Sequence, residues 1–309
     1  TIDISLEAVV KARVASIFLL LLVIVLPACG QSSEADLMGE GQRYMQEKNY
    51  QGAIVIFKTL LEQAPEKMEA RFALGKAYLR TGKLDQAEKS FEKYARQNPY
   101  DDELLLETGR LKLFRQDYAG AAEALAAYVE KEPKSAEGFS LLGRADWAQG
   151  KNGEAKSMFE KSLALDPGQV EAELALAQMS LDQDDSAKAQ ELIDNLLAAS
   201  PNNREGLYFK ARLAGLRGDQ DTYRSTLKTL ADAHPTDGYA KFLYAKTLLS
   251  EGDLDSVMAL AEELQTGAPK MPFGKILKGM VSYAKKDYNA AVNALQEAVA
   301  IRPDVEGYF

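Results

Sequence analysis

The chain is poor in the side chains that catalysis and metal binding most often need. It holds one cysteine, one histidine and one tryptophan in 309 residues, so a disulfide framework, a metal site or a thiol–imidazole pair has almost nothing to be built from. Neither a metal nor a cofactor is implied. Positive charge is also short: 37 Lys and Arg stand against 46 Asp and Glu, a net charge of −9. That balance excludes the broad basic face of a general nucleic-acid binder and favours solubility. A bilayer-spanning helix needs about 20 apolar residues, whereas the apolar run Val14–Leu26 has thirteen and stops at Pro27. No glycine-rich phosphate loop occurs. The paired carboxylates Asp101-Asp102 and Asp184-Asp185 fall in inter-helix turns, where the burial that tunes a carboxyl for acid–base work is not expected. The reading is therefore non-enzymatic. With 46% hydrophobic and 27% charged residues, the chain belongs with folded, helix-rich bodies and not with disordered ones.

What is present is a period. Pro65, Pro99, Pro133, Pro167, Pro201, Pro235, Pro269 and Pro303 are each 34 residues from the next. They divide the chain into eight units: Glu34–Lys67, Met68–Asp101, Asp102–Ser135, Ala136–Gln169, Val170–Asn203, Arg204–Asp237, Gly238–Met271 and Pro272–Val305. In the second, Phe72, Leu74, Gly75, Tyr78 and Leu79 recur at helical spacing, Thr81-Gly82-Lys83 breaks the pattern, and Ala87, Phe91, Tyr94 and Ala95 form a second stripe. Proline pushes the preceding residue out of the α region and closes that second helix. Position eight of each unit is glycine or alanine, from Gly41 to Gly279, and position twenty is alanine except at Tyr223 and Val257. Small residues at both places let two helices approach closely, and these two exceptions predict locally altered helix pairs. Position 24 carries a plug such as Phe57, Phe91, Leu125 or Phe159. Gly82, Gly150, Gly218 and Gly252 stand at position fifteen, where a helix C-terminus wants a left-handed residue. His234, beside Pro235, reads as a structural cation near a helix C-terminus.

These marks resemble the tetratricopeptide repeat. The resemblance covers Glu34 to the end and implies an all-α fold of tandem helix-turn-helix repeats, a right-handed α-solenoid whose first helices line a concave face.

At the N-terminus, Lys11 and Arg13 precede Val14–Leu26 and then Leu26-Pro27-Ala28-Cys29, the order of a secretory signal. That ending resembles the lipobox of bacterial lipoproteins, which implies a signal peptide over residues 1–29, acylation of Cys29 and a short tether at residues 30–33. Two or three acyl chains would hold the protein to a membrane stably. Because Gly30 is not the aspartate of an inner-membrane retention signal, the resemblance implies an envelope protein facing the periplasm from the outer membrane. Phe309 falls four residues into a ninth unit without a polar capping helix, so further repeats or a partner are expected to cover the last apolar face.

Positions two, five, nine and twelve share one side of the first helix. Position two supplies Glu69, Glu103, Glu137, Glu171 and Glu205, and position nine supplies Lys76, Arg110, Arg144, Arg212 and Lys246. Positions five and twelve supply apolar residues including Phe72, Tyr208, Phe242 and Trp147. One reading is a polypeptide-binding groove with an acidic rail, a basic rail and an aromatic floor. In the other, the rails neutralise each other and the floor is core. The candidate site residues are Phe72, Lys76, Arg110, Arg144, Trp147, Tyr208, Arg212, Phe242 and Lys246. The lysine and asparagine of the family's chaperone-tail clamp are absent from positions five and nine, so that partner is not expected. The expected function is a lipid-anchored scaffold for envelope proteins, similar to the repeat lipoprotein of exosortase and exopolysaccharide loci. The alternatives are a pilotin or assembly factor for pilus, secretin or outer-membrane proteins, and the regulatory part of a longer enzyme. Replacing Cys29 with alanine is expected to abolish palmitate labelling and release the protein from membranes, as read by metabolic labelling and sedimentation.

Overall fold

The computed structural model describes residues 33–301. The expected signal peptide, Cys29, nearly all of the expected tether and the start of the ninth unit lie outside the described residues. Sixteen α-helices fill the described chain. The first helix of each repeat (A) is α1 (Glu34–Gln46), α3 (Met68–Arg80), α5 (Asp102–Phe114), α7 (Ala136–Ala148), α9 (Val170–Asp182), α11 (Arg204–Arg217), α13 (Gly238–Ser250) or α15 (Phe273–Ala284). The second (B) is α2 (Tyr50–Gln63), α4 (Leu84–Ala95), α6 (Tyr118–Lys131), α8 (Asn152–Leu165), α10 (Ser186–Ala199), α12 (Gln220–Ala233), α14 (Leu254–Gly267) or α16 (Tyr288–Ile301). None of them is long and apolar enough to cross a membrane. The chain divides into two compact units, Thr1–Arg115 with α1–α5 and Gln116–Phe309 with α6–α16. Within each, helices pack in chain order, and A helices also meet A helices: α1 with α3, α7 with α9, α9 with α11, and α13 with α15.

The A-to-B turn is built the same way in every repeat. Position fifteen adopts a left-handed backbone in all eight, not only at the four glycines but also at Lys48, Gln116, Asp184 and Lys286, with φ of 58–61°. The next residue then donates its N–H back across the turn, as Asn49 does to Tyr44 O at 2.9 Å and Asp253 to Leu248 O at 3.0 Å. This satisfies a carbonyl that the helix end leaves open. The same residue starts helix B: the Asp117, Asp219 and Asp253 side chains accept from the N–H groups of Gly120, Thr222 and Ser256 at 3.0–3.1 Å. One side chain thus caps the second helix while its backbone closes the first.

Packing inside the hairpin rests on a hollow and a plug. A Cβ added at Gly41 would lie 2.3 Å from the Phe57 ring, at Gly75 2.6 Å from Phe91, and at Gly143 2.9 Å from Phe159. Glycine at position eight therefore seats the aromatic ring of position 24. In repeats five and six, where the plug is the smaller Ile193 or Leu227, alanine stands at position eight as Ala177 or Ala211, and all four are buried. The two exceptions at position twenty are accommodated by a size exchange. Tyr223 faces Gly215, whose added Cβ would sit 3.7 Å from the Tyr223 ring. Val257 is fully buried beside Ala261, which replaces the bulky plug. Ala261 in turn lets the next helix in close: a Cβ at Gly274 would be 2.6 Å from the Ala261 carbonyl oxygen.

Two further contacts carry no mark in the sequence analysis. From the second repeat on, position three is small or buried because it meets the preceding B helix. A Cβ at Gly138 would strike Tyr128 at 2.7 Å, and one at Gly206 would strike Leu196 at 2.9 Å. Positions four and 26 tie A to B by ion pairs between Lys241 and Glu263 and between Lys275 and Glu297, or by Lys161 over the Phe139 ring at 5.6 Å.

Gly75→Ala is expected to destabilise the protein by about 1–3 kcal/mol through overpacking, despite alanine's better helix propensity. Phe91→Leu in the same chain should recover part of that loss, and denaturant melts of the single and double variants measure the coupling.

Candidate peptide-binding groove

The A-helix face is not a uniform trough. Of the expected floor residues, Phe72 and Phe242 belong to the core, at 6% and 1% exposure. Phe72 stacks on Tyr94 with centroids 4.5 Å apart, and Phe242 stacks on Phe273 at 5.0 Å. Both are corrected from groove to core, because position five points between neighbouring helices wherever a large ring stands ready to cover it. Leu174 and Tyr208 occupy the same position and stay half-buried. Trp147 is also half-buried, edge-on to Phe159 at 6.4 Å.

Two rungs of the rails pair with each other. Lys76 Nζ donates to Glu103 at 2.7 Å, and Arg144 Nη1 donates to Glu171 at 2.6 Å. Each is a position-nine cation bonded to the position-two acid of the following repeat. Arg110 lies 3.5 Å from Glu107, a carboxylate at 4% exposure whose pKa burial raises against the opposing pull of Arg80 and Arg110. Lys76 additionally covers the Phe72 ring at 4.9 Å. Pairs of this kind, mostly exposed, contribute about 0–1 kcal/mol each. They align neighbouring A helices and leave little free charge.

An open groove survives in the second unit, Gln116–Phe309. One cavity of about 470 Å³ is lined by Arg144, Trp147, Val170, Glu171, Leu174 and Gln178, among others. A second, of about 540 Å³, is lined by Leu174, Glu205, Tyr208, Arg212, Tyr223, Tyr239 and Leu243, among others. The two share Leu174 and Glu205 and so adjoin. The groove thus gathers Arg144, Trp147, Tyr208 and Arg212, while Lys246 stands exposed over the Phe242 ring at 5.7 Å. Lys76 and Arg110 belong to the other unit. Tyr223 and Tyr239, missed as site residues, line the second cavity, and Tyr239 stacks on Tyr208 at 6.1 Å. Their signal was legible, since each breaks its column: tyrosine for alanine at position twenty, and tyrosine for glutamate at position two.

Asp237 holds this region together. Its carboxylate caps α13 by accepting from the Ala240 N–H at 3.1 Å, and also accepts from the Tyr208 hydroxyl at 3.0 Å and Arg204 Nε at 2.7 Å. Burial alone would raise the Asp237 pKa, but the hydrogen bonds from Ala240, Tyr208 and Arg204 outweigh it and hold the carboxyl below its ordinary value. Burial, and then the bond to Asp237, pushes the Tyr208 phenol well up. At the far end of α12, His234 Nε2 sits 2.8 Å from the Asn202 carbonyl, in keeping with a structural role.

Asp237→Ala is expected to cost about 2–3 kcal/mol, combining a lost cap with lost charge-assisted bonds. The folded carboxyl holds its proton less tightly than an unfolded one. Its stabilisation is therefore complete above about pH 4 and disappears as pH falls through the lower folded value. Thermal melts from pH 7 down to pH 2 should show the difference between wild type and variant shrinking only below about pH 4.

Tetratricopeptide repeat models match residues 44–99 and 146–213, 106–170, and 275–305. Among solved structures, PilF of Pseudomonas aeruginosa is 22% identical over 70% of this chain and 97% of its own, with a TM-score of 0.55. PilW, a widely conserved type IV pilus biogenesis factor, is 20% identical over 66% and 94%, with a TM-score of 0.54. A tetratricopeptide repeat protein from Parabacteroides merdae is 17% identical over 76% and 93%, with a TM-score of 0.52. No curated protein sequence matches. With its period, hairpins and plugs accounted for in these terms, the chain belongs to the tetratricopeptide repeat family.

Proposed function

We propose that the protein is a lipid-anchored envelope scaffold that holds a polypeptide partner in the groove of its second unit. The observation that carries this reading is the pair of adjoining cavities around Leu174, whose walls are mostly apolar and aromatic and whose rims carry Arg144, Glu171, Glu205 and Arg212. Clefts of that size and lining accept bulky side chains, and half-exposed tryptophan, tyrosine and arginine are the residues that most often dominate such contacts. The family's general role as a non-enzymatic platform for protein partners points the same way. Anchoring rests on Lys11, Arg13 and Leu26–Cys29, which supply the signal and the acylation site.

A second reading, an assembly factor for type IV pili, draws support from the likeness of the repeat body to PilF and PilW. It has that advantage over the exopolysaccharide-linked setting, which rests on sequence organisation alone.

Affinity capture of the lipidated protein from crosslinked envelopes is expected to recover a polypeptide partner. The Trp147→Ala, Tyr239→Ala double variant should recover at least about tenfold less when assayed well below its own melting midpoint, which falls because Trp147 packs on Phe159 and Tyr239 on Tyr208. Recovery of pilus or secretin components would favour the assembly-factor reading. Recovery of nothing beyond the protein itself would sink the scaffold.

A further inference from the structure

The pairing of the rails is broken at Arg212 and Lys246. The pairing register joins position nine of one repeat to position two of the next, as in Lys76 with Glu103 and Arg144 with Glu171. Arg212 and Lys246 are position-nine cations whose position-two counterparts are Tyr239 and Phe273. Arg212 turns instead to the neutral Gln178, donating to its carbonyl oxygen at 2.6 Å, and lies over the Phe209 ring at 5.7 Å. Lys246 lies over Phe242. Among the described residues neither forms an ion pair, and both are exposed. At the opposite end of α11 the balance is reversed, because Glu205 and Asp237 share the single cation Arg204 at 3.4 and 2.7 Å. The cavity lined by Tyr208 and Tyr239 lies in this region, with Arg212 and Glu205 both on its wall.

We infer that this part of the groove takes an acidic polypeptide segment, one bulky apolar side chain entering the Tyr208–Tyr239 cavity while neighbouring carboxylates meet Arg212 and Lys246. The inference rests on the peptide-groove reading and names the chemistry of its ligand. Where Lys76 and Arg144 already have carboxylate partners, a ligand carboxylate must displace an existing ion pair and gains little. At Arg212 and Lys246 it gains a charge-assisted bond without breaking one. The two cations stand one repeat apart on the A helices α11 and α13, so a peptide must run along the groove to reach both. A ligand with several carboxylates along its length therefore reaches both.

The test uses the full chain in detergent and three fluorescent pools of 12-residue peptides, each with a central phenylalanine. In the first the flanks are random mixtures of glutamate and serine, in the second of lysine and serine, and in the third of serine and glycine. Fluorescence anisotropy is expected to show the glutamate pool binding at least about tenfold more tightly than the lysine pool, with the preference shrinking as salt rises. The Arg212→Glu, Lys246→Glu variant should reverse that order. Both substitutions are on exposed side chains, and an unchanged melting midpoint confirms that the fold is intact. Equal binding of the three pools, abolished by Trp147→Ala with Tyr239→Ala, would overturn the acidic preference and leave the groove reading standing. A glutamate preference that survives the charge reversal, or binding of no pool, also overturns it; in the latter case partner capture alone decides the groove reading.

Discussion

The contact on which the repeats depend is a ring seated on a glycine. Phe57, Phe91 and Phe159 lie so close over Gly41, Gly75 and Gly143 that a single added carbon would overlap them. Protein interiors are packed too densely to absorb such an intrusion without moving a side chain or backbone. The distance between the two helices of a hairpin is therefore set by the sum of two side-chain volumes. That constraint explains what otherwise reads as drift. Ala177 accompanies the smaller plug Ile193, Gly215 accompanies Tyr223, and Ala261 accompanies Val257. Repeats thus vary the residues at these positions, as expected where stability is a sum over near-identical neighbours.

Because that packing repeats every 34 residues, surface columns repeat as well, and electrostatics acts on the columns. Acid and base at positions two and nine meet across neighbouring A helices and cancel, which aligns the helices and leaves a quiet surface. Recognition chemistry appears where the columns break. Gln178, Tyr239 and Phe273 are among the departures from these columns. Tyr239 and Phe273 leave Arg212 and Lys246 without ion-pair partners among the described residues, and Arg212 lines an aromatic cavity. The variable rungs differentiate one stretch of groove from the next while the packing positions stay constant.

The helices, their turns and the position-eight and position-24 contacts were legible because each follows from local periodicity and volume. The groove was legible only in part. Phe72, Leu174, Tyr208 and Phe242 all hold position five, and a helical wheel gives them the same heading. Phe72 is covered by Tyr94 at 4.5 Å and Phe242 by Phe273 at 5.0 Å, whereas Tyr208 meets Tyr239 only at 6.1 Å, and Leu174 and Tyr208 remain on the cavity wall. The covering residue comes from another helix, so one helix's pattern cannot report it. Likewise, the left-handed turns at Lys48, Gln116, Asp184 and Lys286 were hidden because only glycine advertises that backbone.

The sequence by itself determined the 34-residue period, the all-α hairpin, the family and the columns of like residues along the A helices, since all of these depend on spacing within a few turns of chain. The tertiary structure decided which members of each column are used up inside the molecule. Phe72 and Phe242 are taken into the core, and Lys76 and Arg144 are taken into ion pairs. Trp147, Tyr208, Tyr239 and Arg212 are left facing a cavity. Burial and pairing depend on what stands opposite, 22 to 34 residues away, and only the packed helices bring those partners together.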